Sequence, residues 1–203
     1  MIRPKVILFD WDNTLVDSWG TIHHALVETF ASLGVAPWTL EETKRRVRHS
    51  LRDAFPPLFG ARWEEAKRLY IGTFTAIHLE RLKALEGAEA ALRELAGAGF
   101  RLGVVSNKTG ALLRREVVHL AWERFFVRVV GAGDASHDKP HAAPIQLALD
   151  GSGQKPGPEI WYVGDTELDM ECAANAGCPG ILIGEAEGAR FATVAALVRS
   201  LAV

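Results

Sequence analysis

Cysteine is nearly missing from this chain. Only Cys172 and Cys178 occur among 203 residues, too few for a disulfide framework and without the ligand spacing of a zinc site. Both are expected to be reduced, packed thiols. A surplus of positive charge is lacking too: 23 basic residues face 25 acidic ones, for a formal net charge of -2, so no general field favours nucleic acid and none is expected as a partner. No apolar run approaches the ~20 residues that span a bilayer. The start Met1-Ile2-Arg3-Pro4-Lys5 leads toward a strand and not into a signal-peptide core. No membrane association is expected, and the cytoplasm is the expected compartment. Internal repeats and low-complexity tracts are absent. What is present, 48% hydrophobic and 24% charged residues, suits a globular chain with one large domain or a core carrying a modest insertion.

The most informative segment is Asp10-Trp11-Asp12-Asn13-Thr14, because it directly follows the apolar run Val6-Ile7-Leu8-Phe9, which reads as a buried parallel strand. Two carboxylates at i and i+2 project to the same side of an extended chain, and open α/β sheets bind ligands just past the carboxyl ends of their strands. Such charges repel unless a cation lies between them or one holds a proton. The pair therefore predicts a bound hard metal or a general acid. The alternative is a polar strand-to-loop turn with a helix-capping aspartate.

From about Asp17 to Ala84 there is no strand signal, and apolar residues recur at helical spacing. The expected pieces are a helix from about Trp19 to Leu33 closed by Gly34, one opened by the capping-box pattern Thr39-Leu40-Glu41-Glu42, and a long one around Trp63 to Leu82; Pro56-Pro57 and Gly60 punctuate the middle. From Gly87 onward helices and strands alternate: helix Ala88 to Ala96, strand Arg101 to Val105, helix Ala111 to Leu120, strand Val127 to Gly131, helix Ala143 to Leu149, strand Ile160 to Val163, helix Leu168 to Ala176, strand Gly180 to Ile183, and a last helix near Ala189 to Leu201. This is the grammar of an α/β fold with a doubly wound parallel sheet, to which the first strand also belongs. Residues 1–16 and 85–203 are thus expected to form the α/β core, and 17–84 a helical cap beside Asp10 and Asp12.

Three later strand ends carry polar residues of the kinds such a carboxylate pair needs. Ser106 follows Leu102-Gly103-Val104-Val105 and precedes Asn107-Lys108, offering a hydroxyl and turn amides to an anion. Lys139 sits in Asp138-Lys139-Pro140, where the proline restricts the backbone of the lysine. Gly164-Asp165-Thr166-Glu167-Leu168-Asp169 follows Ile160-Trp161-Tyr162-Val163 and adds two acids, with helix capping by Asp165 or Thr166 as the structural alternative.

Taken in order, Asp10-x-Asp12-x-Thr14 with Leu15-Val16-Asp17-Ser18, Ser106, Lys139, and Gly164-Asp165 through Asp169 resemble the four motifs of the haloacid dehalogenase superfamily of aspartate-nucleophile phosphohydrolases, over essentially the whole chain. The helical insertion resembles the small cap of the subfamily that includes phosphoglycolate phosphatases. Asn13 departs from the pattern, standing where many of these phosphatases carry glycine. Asparagine tolerates left-handed backbone best among the other residues, so the loop geometry is expected to persist.

The resemblance implies a Rossmann-like core and a magnesium-dependent phosphatase acting on a small-molecule phosphomonoester. Asp10 would attack phosphorus to form an aspartyl-phosphate. Magnesium would be held by the carboxylates of Asp10 and Asp165 and the main-chain carbonyl of Asp12, with Asp169 orienting its waters or Lys139. Lys139 would pair with Asp10 and the transferring group. Ser106 Oγ and the amides of Asn107, Trp11 and Asp12 would hold the phosphoryl oxygens, while Thr14 braces the loop. Asp12 would protonate the leaving alkoxide and then activate water. This second acid argues against dehalogenation, because halide leaves without a proton. A phosphomutase of the same architecture, which differs in how slowly its phosphoenzyme meets water, is not separable by these motifs. A non-catalytic protein on the scaffold would show damage to the motifs, and none is seen. A phosphonate-cleaving relative would need a reactive lysine in the cap, and neither Lys44, Lys67 nor Lys83 has a context that marks it.

Substrate choice falls to the cap. There Arg45, Arg48, His49 and Arg52 fall at i, i+3, i+4 and i+7, which would place them on one face of a helix, suited to a substrate carboxylate or second phosphate or else a solvated face balanced by Glu41 and Glu42. Phosphoglycolate is one candidate substrate. His23, His24, His78, His119, His137 and His141 show no ligand spacing and receive no role. The oligomeric state is not legible in the sequence.

Overall fold

Strand β1 (Val6–Phe9) is buried at every residue, as expected of a central strand covered on both faces. In the computed structural model, which describes residues 2–201, the chain continues through β2 (Val16–Asp17), α1 (Trp19–Ser32), α2 (Leu40–Arg46), α3 (Leu51–Phe59), a single 3₁₀ turn, α4 (Trp63–Arg81) and β3 (Lys83–Ala84). Then come α5 (Ala88–Gly97), β4 (Arg101–Thr109), α6 (Gly110–His119), β5 (Phe126–Ala132), α7 (Ala143–Leu149), β6 (Ile160–Gly164), α8 (Glu167–Ala176), β7 (Gly180–Leu182) and α9 (Val194–Ser200).

The main sheet is parallel, in the order β5-β4-β1-β6-β7. The chain builds outward from β1 through β4 to β5, then crosses to β6 on the other side of β1, so the strand order reverses at β1 itself. Ligands of doubly wound sheets bind at that reversal. Phe9 is in register with Val104 and Val163, which sets the residues that follow each of them side by side at the carboxyl edge.

Side-chain alternation along β1 separates two cores. Ile7 and Phe9 pack with Leu92 and Leu95 of α5, Leu113 of α6 and Leu197 of α9. Val6 and Leu8 face Ile145 and Leu149 of α7 and Cys172 and Ala173 of α8. Both cysteines are buried and unpaired, and burial pushes the Cys172 thiol up to about 12, far from a reactive thiolate. A third apolar cluster belongs to the helical segment: Ile22, Leu26 and Phe30 of α1, Phe55 of α3, and Tyr70 and Phe74 of α4, with Leu112 of α6 reaching into it. Among the described residues no helix is long and apolar enough to cross a membrane.

Several elements differ from the sequence reading. The short antiparallel pair β2–β3, with Val16 opposite Ala84 and Asp17 opposite Lys83, carries too few residues to show a strand period, yet it joins the two crossings between sheet and helical segment. Pro56 and Pro57 lie inside α3 instead of separating helices; the carbonyls of Arg52 and Asp53 lose their helical donors there, a cost a short surface helix can tolerate. The last helix begins only at Val194, because the Thr193 hydroxyl accepts the Ala196 amide at 3.1 Å and caps it.

Candidate active site

The loop after β1 is a tight turn in which the Trp11 carbonyl accepts the amides of Leu15 (3.0 Å) and Val16 (3.2 Å). Asn13 has φ of 61°, the left-handed backbone anticipated for it, and its Oδ1 accepts the Ser18 amide at 3.2 Å. This turn presents Asp10 and Asp12 to a cavity of about 110 Å³ that is also lined by Ser106, Asn107, Lys108, Lys139 and Asp165 from the sheet, and by Trp19, Arg48, His49, Tyr70 and Phe74 from the helical segment.

Lys139 organises the floor. Its buried ammonium donates to Asp10 Oδ1 (2.8 Å), Asp169 Oδ1 (2.7 Å) and the Tyr162 hydroxyl (2.9 Å). Burial works against its charge, but the carboxylates of Asp10 and Asp169 outweigh this and hold its pKa above the ordinary lysine range. Asp169 has its remaining oxygen bound by the Thr166 amide (3.1 Å) and hydroxyl (2.6 Å). Although burial opposes it, Lys139 and these donors keep Asp169 ionised below the usual carboxylate range. The Thr166–Asp169 pair is also a capping box that opens α8, so capping and site geometry share the same residues.

Asp10 and Asp165 are less satisfied. Burial, opposed by Lys139 and reinforced by Asp169 and Asp12, raises Asp10 to about 6. Burial, with Asp10 and Asp169 adding to it, raises Asp165 to about 8. Thr14 donates to Asp165 Oδ1 at 3.3 Å. Carboxylate oxygens of Asp10, Asp165 and Asp169 all lie within 4.8 Å of one another. With all three ionised, three carboxylates against one ammonium would leave two uncompensated negative charges, and hard oxygen donors in that number fit a divalent cation such as magnesium. Asp169 is already filled by its own donors, so Asp10 and Asp165 carry the free donor capacity.

The other predicted residues are found as follows. The Ser106 hydroxyl is buried at the cavity and accepts the Lys108 amide at 3.3 Å. Asn107 clamps the backbone of Lys139 from both sides, accepting its amide (3.0 Å) and donating to its carbonyl (3.1 Å). The side chain of Trp11 points away from the cavity into the core, edge-on to Trp122 and Phe126, with Nε1 donating to Glu116 at 2.6 Å.

The basic cluster is a correction. Arg45, Arg48, His49 and Arg52 do not share a helix face, because α2 stops at Arg46 and residues 47–50 run as a loop before α3. The cations Lys44, Arg45 and Arg46 complete the last turn of α2, where they favour a terminus, and Val47 turns to extended backbone. Arg48 and His49 do line the cavity. Arg45 is exposed away from it, and Arg52 turns to Asp138 at 2.6 Å.

The sequence reading missed a second buried network. Lys108 Nζ lies 2.7 Å from Asp12 Oδ1 and 2.5 Å from Glu116 Oε2, and His78 Nδ1 lies 2.8 Å from Glu116 Oε1. Its signals are in the sequence. Glu116 falls on the buried face of α6 with Leu112, Leu113 and Val117, and His78 ends the series Ala66, Tyr70, Phe74 at spacing four on α4. A charge on an apolar stripe calls for a partner.

Known proteins share this architecture. A family model described as haloacid dehalogenase-like hydrolase matches residues 7–183. A protein of Xylella fastidiosa named phosphoglycolate phosphatase is 30% identical over 183 residues, spanning 88% of this chain and 80% of the relative. A haloacid dehalogenase superfamily hydrolase from Ehrlichia chaffeensis superposes with a TM-score of 0.70 at 26% identity, over 100% of this chain and 98% of that one. A haloacid dehalogenase-like chain from Bacteroides fragilis superposes with a TM-score of 0.88 at 23% identity, over 96% and 100%.

Proposed function

Because the chain belongs to the haloacid dehalogenase-like hydrolases, we propose that it is a magnesium-dependent phosphatase cleaving a small-molecule phosphomonoester through an aspartyl-phosphate, with phosphoglycolate, the substrate named for the Xylella relative, as the first candidate. The observation that carries this reading is the placement of Asp10: a carboxylate at the strand-order reversal, one oxygen held by Lys139 at 2.8 Å, opening to a cavity shared with Asp12, Ser106 and Asp165.

In this reading the free oxygen of Asp10 attacks phosphorus while Lys139 fixes the other and faces the transferring group. Ser106 Oγ and the amides of Asn107, Trp11 and Asp12 hold the phosphoryl oxygens. Asp12 gives a proton to the departing alkoxide and afterwards takes one from the water that cleaves the aspartyl-phosphate. Asp10, Asp165 and the main-chain carbonyl of Asp12 would hold magnesium, which would supply charge that offsets the phosphoryl oxygens. Residues 17–84 act as a cap over residues 1–16 and 85–203, and the Arg48 guanidinium and the His49 ring are the cap groups placed to meet the leaving group.

The test is phosphate release from phosphoglycolate, nucleoside monophosphates and hexose phosphates, with magnesium and with chelator. Magnesium-dependent turnover of one ester well above the others supports the reading; no release from any, with the fold intact, contradicts it.

A further inference from the structure

Asp12 does not stand alone at the cavity. Its carboxylate, 18% exposed, forms an ion pair with Lys108, whose side chain is 5% exposed, and Lys108 is in turn held by Glu116. A buried ammonium needs a partner, and Glu116 alone would supply one. The placement of Lys108 between Glu116 and a second carboxylate at the reactive cavity is therefore more than charge neutralisation.

Glu116 is fixed from three directions. It accepts from Trp11 Nε1 (2.6 Å) in the loop after β1, pairs with Lys108 (2.5 Å) at the end of β4, and meets His78 (2.8 Å) on α4. The Lys108 ammonium also lies 5.1 Å from the centre of the Phe74 ring, which limits where it can swing. A carboxylate held by partners from three elements is restrained by all of them, and the lysine it pairs with is restrained in turn. The chain of contacts ends on Asp12.

We propose that Lys108, anchored by Glu116, is the positioning residue for Asp12, fixing its carboxyl group where the leaving-group oxygen departs. This rests on the phosphatase reading, in which Asp12 handles that proton. It differs from a phosphate-binding role for Lys108 in kcat/KM, which covers the steps through departure of the leaving group: a lysine that reads phosphoryl oxygens would serve every ester alike there, whereas one that positions a general acid matters there only where the leaving group needs a proton.

The experiment compares kcat/KM for the alkyl phosphate of the panel above that is turned over fastest with that for p-nitrophenyl phosphate, whose phenolate departs without a proton. Lys108→Gln is expected to lower kcat/KM by about 10²-fold on the alkyl ester and by less than about fivefold on the aryl ester. In Asp12→Asn protein the same substitution should add almost nothing, since the two residues act as a unit. Should Lys108→Gln fail to fold, Glu116→Gln keeps the volume and loosens the anchor; the same preference for damage on the alkyl ester must appear at smaller amplitude. Equal losses on both esters, or full additivity with Asp12→Asn, would overturn the positioning role while wild-type turnover leaves the phosphatase reading standing. No turnover of either ester by the wild type would remove both.

Discussion

Arg52 Nε lies 2.6 Å from Asp138 Oδ2, joining the first turn of α3 to the residue that precedes Lys139. Asp138 is 2% exposed and Arg52 37%, so the carboxylate depends on this pair and on the Gly133 amide at 3.0 Å. Arg52→Met is expected to destabilise the fold by about 1 kcal/mol, the low end of the penalty for a buried group left unpaired because the arginine is partly solvated. That corresponds to a fall in Tm of about 2–4 °C. Calorimetry should also show that adding Asp138→Asn recovers part of the loss. An unchanged Tm in the single variant would reduce the pair to a surface contact.

The metal-free protein should lose stability as pH rises. Asp10 and Asp165 have folded-state values of about 6 and about 8, raised from 3.8, so the folded form favours their protons. The stability they contribute is complete below 3.8 and disappears as pH climbs through about 6 and then about 8. Asp169, shifted the other way, is already ionised across that range. Thermal unfolding in chelator should therefore show Tm falling from about pH 5 to about pH 8.5, and added magnesium should raise Tm more at the upper end. An equal magnesium shift at both ends would contradict the assignment of these two carboxylates as ligands.

Gly164 ends β6 against Asp169, and a Cβ there would overlap the Asp169 carboxylate. Gly164→Ala should displace Asp169 and, through it, Lys139. The expected outcome is a destabilisation of about 1–3 kcal/mol together with a loss of turnover larger than that of a surface alanine substitution. Wild-type kcat in a folded Gly164→Ala protein would show that Asp169 has room to move.

Of Arg45, Arg48, His49 and Arg52, only Arg48 and His49 line the cavity. Arg48→Ala should raise KM for esters with an anionic leaving group and leave neutral ones nearly unchanged, while Arg45→Ala should alter neither. Parallel effects of the two substitutions would take Arg48 out of substrate recognition.

How far these features could be read from the amino acids depends on their range. Val6 to Phe9 announce a buried strand by composition, Asn13 announces its left-handed turn by type, and Thr39 with Glu42 announces a helix start by spacing; all three are local, and all three are in the structure. Asp10 and Asp165 follow apolar runs and sit just past β1 and β6, as their context announces, whereas Ser106 lies inside β4, which runs on to Thr109, and Lys139 lies in the loop after β5; nothing local states that Asp169 and Tyr162 share the Lys139 ammonium. The break after Arg46 was misread because the spacing of Arg45, Arg48, His49 and Arg52 mimics a helix face. The competing signals, three cations ending α2 and Ser50 with Asp53 opening α3, were present but weaker. The Lys108–Glu116–His78 network ties the end of β4 and α6, whose residues lie 8 apart, to α4, 38 residues away from Glu116, and only the polar residues on buried helix faces hinted at it.

The most direct test of the account is to mix the enzyme with a turned-over ester and magnesium, quench in acid, and map the phosphorylated peptide by mass spectrometry. The account predicts a phosphoryl group on Asp10, absent in chelator and absent in Asp10→Asn, which should be folded and inactive. Phosphate release at the wild-type rate by Asp10→Asn, or turnover with the phosphoryl group on another residue, would contradict it.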